Sequence, residues 1–253
     1  MDPEQAEPEK PKPARELSAA EQERIDRRRA ALAEIRKFGD PVLKSKATPI
    51  SSFDTDLEAE AERMIELMHG SMGIGLAATQ IGSMRRMLVF QVGPDSRPTA
   101  LVNPVLEWSS DDLVTAEEGC LSLPKVTVDV ERPMHARVSA SDTSGEALLI
   151  EAAGLEARVL QHEIDHLDGI LIVDRTERKQ RRAALRALRS GESFAPELLE
   201  PPPEDAGTEA TVVQVAERSG HAEEDGGAGV EGPERDRGAE PEAAADADQR
   251  DSA

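Results

Sequence analysis

The sequence has little that would cross-link the chain or anchor it to a membrane. It contains one cysteine, Cys120, so no disulfide can form within the chain and nothing calls for an oxidising compartment. No apolar run approaches the roughly 20 residues that a membrane-spanning helix needs. The opening residues, MDPEQAEPEKPKPARE, are charged and proline-rich with no apolar centre, which excludes a secretory signal. The glycine-bearing stretch Ser71 to Ser83 lacks the lysine of a phosphate loop and follows a helix rather than a strand, which excludes a dinucleotide fingerprint as well. These absences lead to the expectation of a soluble, cytoplasmic protein with no membrane partner.

Basic residues are scarce where acidic ones are dense. From Ala195 to Ala253 there is no lysine, and four arginines stand against 17 Asp/Glu, so this tail carries −13 of the formal net charge of −21. The remainder is only mildly acidic, and no sequence-specific DNA binding is expected. Residues 1–33 form a charged extension expected to be mostly disordered, and residues 195–253 an acidic disordered tail, because neither buries enough apolar surface to offset the entropy of ordering. Between them lie a catalytic domain over residues 34–175 and a basic amphipathic helix over residues 176–194.

Within the extension, Ala19 to Ile35 is rich in Ala, Glu and Arg and reads as a frayed helix. Leu57, Ala61, Met64, Ile65 and Met68 recur at helical spacing between Asp54 and His69, and the methionines there read as core filling. Gly70 is expected to end that helix. Short strands follow at Met87 to Val92, Ala100 to Trp108, Val126 to Val130, Ala136 to Ser141 and Ala147 to Ala152, with short connections that favour antiparallel pairing. Gly154 to Leu167 returns to helical period, with Gly169 just past its end, and Ile170 to Val173 reads as a last strand. The class is α+β, with antiparallel β-sheets packed around a buried central helix.

That helix carries the chemistry. His162 and His166 are four positions apart, which places both side chains on one helix face, within reach of a single metal ion. Glu163 adds a carboxylate able to take a proton from water at such a site. A bare HExxH has a plainer reading as polar residues on a solvated face, but the apolar Leu155, Val159 and Leu160 argue for burial, and buried histidines need partners. Cys120 lies in a glycine-flanked turn, Glu117 to Ser122. A lone cysteine is usually an inert hydrophobe, and next most often a nucleophile with histidine as its base. A thiolate beside two imidazoles is also a good site for divalent iron or zinc, and three such ligands leave a fourth position for water.

Three separated stretches together resemble the peptide deformylases: Gly73-Ile74-Gly75-Leu76-Ala77-Ala78-Thr79-Gln80, then Glu118-Gly119-Cys120-Leu121-Ser122, then Gln161-His162-Glu163-Ile164-Asp165-His166-Leu167-Asp168-Gly169. The segment RKFGDPVL, Arg36 to Leu43, is similar to that family's N-terminal stretch, so the resemblance spans about Ile35 to Arg175. It implies that Cys120, His162 and His166 bind one divalent metal, with Fe²⁺ the expected ion and Zn²⁺, Ni²⁺ or Co²⁺ as substitutes. It further implies that metal-bound hydroxide attacks the formyl carbon of an N-formylmethionyl nascent peptide, with Glu163 as general base and then acid. Gln80 and the backbone N–H of Leu121 would stabilise the oxyanion. Ile74 and Gly75 would pair with the substrate main chain, and Ile74, Leu121, Leu155, Val159 and the His162 ring would line a methionine pocket. Some relatives hold substrate with an arginine near the position of Thr127, which this chain lacks.

A zinc endopeptidase shares the pentapeptide but takes a Glu or His downstream as its third ligand; here the only downstream histidine is His221, deep in the acidic tail, Glu177 and Glu192 lie in or after the basic helix, and the upstream Cys120 decides against it. A binding-only relative would not need the full set of ligands, base and glutamine. The basic helix, expected over residues 176–190, has seven Lys/Arg against one Glu between Arg175 and Ser190. It reads as a solvated face or, given a substrate that emerges from an RNA-rich particle, as a surface for docking on the ribosome.

Overall fold

The computed structural model describes residues 17–196 and 211–214. Helix α1, Ala19–Glu34, starts at a capping box: the Ser18 hydroxyl accepts from the Glu21 N–H at 3.2 Å, and the Glu21 carboxylate accepts from the Ser18 N–H at 2.8 Å. Only Ala31 is buried, as its alanine-based apolar content leads one to expect. The expected extension over residues 1–33 thus contains a helix from Ala19 onward, while residues 1–16 lie outside the described residues.

A 3₁₀ turn at Pro41–Lys44, capped by Asp40, leads to α2, Thr55–Ser71. Asp54 caps it by accepting from the Leu57 N–H at 3.0 Å, and Asp56 and Glu58 place negative charge on its positive end. Leu57, Ala61, Met64, Leu67 and Met68 are buried, so the methionines are core. Gly70 does not end the helix; it lies within the last turn, and Met72, in the left-handed region at φ 63°, closes it. The glycine serves packing instead, since a Cβ there would sit 3.0 Å from that of Ala31 on α1.

The strands are β1 Gly75–Ala77, β2 Met87–Phe90, β3 Thr99–Ser109, β4 Leu113–Cys120, β5 Leu123–Pro133, β6 His135–Ser141, β7 Ala147–Ala153 and β8 Thr211–Gln214, with a second 3₁₀ turn, Ala78–Ile81, after β1. All pair antiparallel, in a six-stranded sheet of order β1-β2-β3-β6-β7-β8 and a separate β4-β5 hairpin. Both faces of β2 are buried. Met87 and Val89 pack with α2, whereas Leu88 and Phe90 pack with α3, Gly154–Leu167, whose Ala157, Leu160, Ile164 and Leu167 join Val138 and Ile150 of the sheet. Each such Leu, Ile, Val, Met or Phe side chain contributes about 1.5–3 kcal/mol by leaving water.

The sequence expectation differs from the structure at two further places. Ile170 to Val173 is not a strand; a one-turn helix, α4, spans Ile172–Arg175, because the Asp174 carboxylate accepts from the Leu171 N–H at 2.9 Å and fixes a helical start. The stretch ending at Cys120 is strand β4 rather than a bare turn, and its exposed face alternates too weakly with apolar residues to announce it. Helix α5, Arg178–Ser190, lays Ala184 and Ala187 on the hairpin side and keeps Arg182, Arg186 and Arg189 exposed. Among the described residues no helix is long and apolar enough to cross a membrane.

Candidate metal centre and active site

Helix α3 crosses beneath the large sheet and brings its second half against the tip of the β4-β5 hairpin. The ladder slips at that tip: Gly119 pairs with Thr127, but Cys120 pairs with Leu123, so the chain turns tightly and aims Cys120 at the helix. Cys120 Sγ lies 3.2 Å from His166 Nε2, and the donor atoms of Cys120, His162 and His166 all fall within 4.8 Å of one another. The imidazole centroids are 4.9 Å apart, as the i, i+4 spacing requires. One thiolate and two imidazoles converging from different elements fit a divalent metal of the iron or zinc kind.

A buried charge network orients this set. Glu118 Oε2 lies 3.0 Å from His162 Nδ1, and because the carboxylate can only accept, that nitrogen carries the proton and Nε2 is left free as a ligand. The same carboxylate accepts from Arg132 Nε at 2.7 Å and Nη2 at 3.0 Å, and from Arg158 Nη1 at 2.6 Å. Arg132 reaches on to Asp165 of α3 at 2.8 Å, which also accepts from Arg175. Burial alone would raise the Glu118 carboxyl, but the hydrogen bonds from His162 and Arg132, with the Arg132 charge, outweigh it and hold the group well below the usual carboxylate range.

Glu163 has the opposite balance. Burial pushes its carboxyl up, with the two histidines pulling the other way, and Oε2 has no hydrogen-bond partner among the described residues. Burial would also raise the Cys120 thiol, yet His166 and His162 more than compensate and hold it well below its ordinary value. The result is a thiolate poised as a ligand beside a carboxyl poised to carry a proton.

A cleft of about 370 Å³ opens over these groups, lined by Ile74, Gly75, Gln80, Cys120, Leu121, Leu155, Val159, His162 and Glu163 among others. Every residue assigned to the site from the sequence therefore lies around one cavity, apart from His166, which is buried behind it. Gln80 is held by its Oε1, which accepts from the Ala77 N–H at 2.9 Å, and its Nε2 faces Ser122 Oγ at 3.3 Å and Cys120 Sγ at 3.6 Å. Gly75 lies against Glu163, where a Cβ would come 2.9 Å from Cγ and Cδ of the carboxylate side chain.

A family model described as polypeptide deformylase matches residues 32–182. The chain belongs to the polypeptide deformylase family. Its activity is removal of N-formyl groups from peptides. The peptide deformylase of Thermotoga maritima is 46% identical over 141 residues, which cover 56% of this chain and 85% of that protein. That of Acidothermus cellulolyticus is 42% identical over 162 residues, 64% of this chain and 88% of the relative. Among solved structures, the Synechococcus elongatus peptide deformylase in complex with actinonin matches at a TM-score of 0.59 and 39% identity, covering 63% of this chain and 88% of that one.

Four residues of the deformylase site escaped the sequence reading. Glu118 and Asp165 stand in the sequence only as members of motifs with no role of their own, and Arg132 and Arg158 have none at all. Arg132 did leave a trace: Val126, Val128 and Val130 point inward on β5, and Arg132 continues that alternation into the core. An arginine at an inward position needs buried carboxylates, although nothing in the spacing says which ones.

Proposed function

We propose that Cys120, His162 and His166 hold one divalent metal, Fe²⁺ foremost with Zn²⁺, Ni²⁺ or Co²⁺ able to replace it, and that Glu163 moves the protons of deformylation. The observation that carries this reading is the buried Glu163 carboxyl, unpartnered at Oε2, beside the histidine pair and facing the cleft. When bound, the ion supplies a Lewis acid that acidifies water and polarises a carbonyl. Glu163 accepts a proton as the water oxygen bonds to the formyl carbon, and returns it to the amine nitrogen as the C–N bond breaks. Formate and a free N-terminal amine result. The Gln80 amide and the Leu121 N–H face the oxyanion that develops, where preorganised donors are worth most.

Ile74 and Gly75, at and beside the start of edge strand β1, pair with the peptide main chain as an added strand. Leu121, Leu155, Val159 and Ile74 form an apolar pocket for an unbranched methionine side chain. The substrates are then N-formylmethionyl nascent chains, in the cytoplasm, and the exposed arginines of α5 provide a salt-sensitive contact to ribosomal RNA. In this reading residues 34–175 are the catalytic domain, 176–194 the basic helix, and 1–33 and 195–253 charged extensions.

The test is Glu163→Ala in metal-loaded protein with formyl-Met-Ala as substrate. The variant is expected to keep its metal and lose nearly all formate release. Substantial remaining activity would show that another group moves the proton. Cleavage inside a longer N-acetylated peptide by the unsubstituted enzyme, without formate, would favour an endopeptidase. For the ribosome contact, deleting residues 176–253 should abolish binding and deleting 196–253 should not; equal binding by both would refute it.

A further inference from the structure

The three ligating side chains come from two elements that share no ladder. Cys120 ends β4, whereas His162 and His166 ride on α3. Their spacing therefore depends on side chains that cross from the helix to the hairpin. Arg158, one turn before His162, makes three such crossings. Its Nη1 donates to Glu118 Oε1 at 2.6 Å and to the Val130 carbonyl at 2.9 Å, and its Nη2 donates to the Val114 carbonyl at 2.6 Å. Val114 belongs to β4 and Val130 to β5, so one guanidinium clamps both strands of the hairpin to the helix.

Arg158 also lines the cleft, with its side chain 12% exposed. As an arginine in the cleft wall of a chain that has Thr127 on β5, it invites a reading as the group that grips substrate. Its bonds argue otherwise. Three of the roughly five N–H groups of a guanidinium are engaged with the hairpin, and its charge is matched by the buried Glu118. Gripping a substrate would break contacts that leave a buried carboxylate less compensated. The division of the Glu118 oxygens points the same way: Oε1 takes Arg158 Nη1 and Arg132 Nε, and Oε2 takes Arg132 Nη2 and His162 Nδ1.

We propose that Arg158 is a positioning residue that turns Glu118 so that Oε2 meets His162 Nδ1 and holds Cys120 at ligating distance from the two histidines. This rests on reading Cys120, His162 and His166 as the metal ligands. A planar fork with two ends is needed for it, which lysine does not supply.

The experiment compares Arg158→Met, which keeps length without donors, and Arg158→Lys, which keeps charge without the fork, in the full chain loaded with Co²⁺. Release of Co²⁺ to excess chelator should be at least about tenfold faster in Arg158→Met, as for the loss of an outer-shell partner, and intermediate in Arg158→Lys. The thiolate-to-cobalt absorption band should shift in both. On formyl-Met-Ala, kcat should fall while KM stays within about twofold, the pattern of a lost transition-state interaction rather than lost binding. A lowered Tm with unchanged ion release and spectrum would reduce Arg158 to a structural tie and overturn the proposal. So would a raised KM with unchanged kcat, which would make it a substrate group. If the unsubstituted chain fails to retain one Co²⁺, the ligand assignment itself falls, and the parent protein reveals this before any variant is made.

Discussion

Gly75 and Glu163 are in contact across the cleft floor: the strand edge that lines the cleft runs so close to the proposed base that a Cβ at Gly75 would lie 2.9 Å from the Glu163 Cγ and Cδ atoms. The glycine has an ordinary strand conformation, so its absence of side chain is a matter of space rather than of backbone freedom. Gly75→Ala must therefore move the carboxylate or the strand. Displacements near 1 Å at a reacting group can cost about 10² in rate. The variant should lose about ten- to a hundredfold in kcat/KM for formyl-Met-Ala, with metal content unchanged, since the side chain that a Cβ there meets first is that of Glu163 and not of Cys120, His162 or His166. Formate release and metal analysis on one preparation check both halves.

Glu118→Gln keeps shape but withdraws the charge that two arginines and one histidine share. Burying Arg132 and Arg158 with a neutral partner leaves positive charge uncompensated, which costs about 3–5 kcal/mol when a buried pair is broken. The amide also loses the strong acceptor that sets the His162 tautomer, so metal affinity should drop about 10- to 100-fold. Denaturant unfolding of the metal-free protein measures the first effect and competitive chelation the second. Unchanged stability would mean that the arginines find other acceptors.

What the sequence disclosed and what it hid divide along a physical line. The helix Gly154–Leu167 and its His162-Glu163-His166 face follow from period alone, and β2, β3, β5, β6 and β7 follow within a few residues from apolar runs between turn signals, whereas β4 does not. Cys120 could be matched to the histidines by the chemistry of a thiolate, without its strand being recognised. Hidden were features set by long-range partners. Arg132 meets Glu118 across a hairpin and Asp165 across a helix, and no periodicity encodes that pairing. Gly70, read as a stop, serves the approach of α1. The start of α4 is a different case, since its cap is local: Asp174 accepts from the Leu171 N–H three residues back, where an apolar run reads equally well as a strand.

Gln80→Leu removes a donor while filling much the same volume. Its amide is held by the Ala77 N–H and lies on the thiolate side of the cleft. If it stabilises the oxyanion, kcat should fall about 10²–10³-fold, as when one such donor is deleted, and KM should hardly change. A loss confined to KM would move Gln80 from the oxyanion site to ground-state binding. The Ala77 N–H loses its acceptor too, so Tm is recorded alongside to separate a local rearrangement from a catalytic defect.

Asp174 offers a prediction far from the chemistry, with its sign fixed by its partners. Burial would raise its carboxyl, but the Lys44 ammonium at 2.7 Å, the Leu171 N–H at 2.9 Å and Arg181 at 3.1 Å outweigh burial and hold it below the ordinary value. A carboxyl depressed in the folded state contributes stability that is fully present above its unfolded pKa, about 3.9, and is lost as pH falls through the lower folded value. Asp174→Asn keeps an acceptor for Leu171 but removes the charge, and because Lys44 and Arg181 are half exposed the loss at pH 7 should be only about 1 kcal/mol. The gap between variant and parent should narrow below about pH 4 and vanish once the parent carboxyl is protonated. It should also shrink in high salt, where exposed pairs are screened. Urea unfolding of both proteins across that pH range decides it; a gap that stays constant or widens on acidification would mean that Asp174 acts through shape and not through charge.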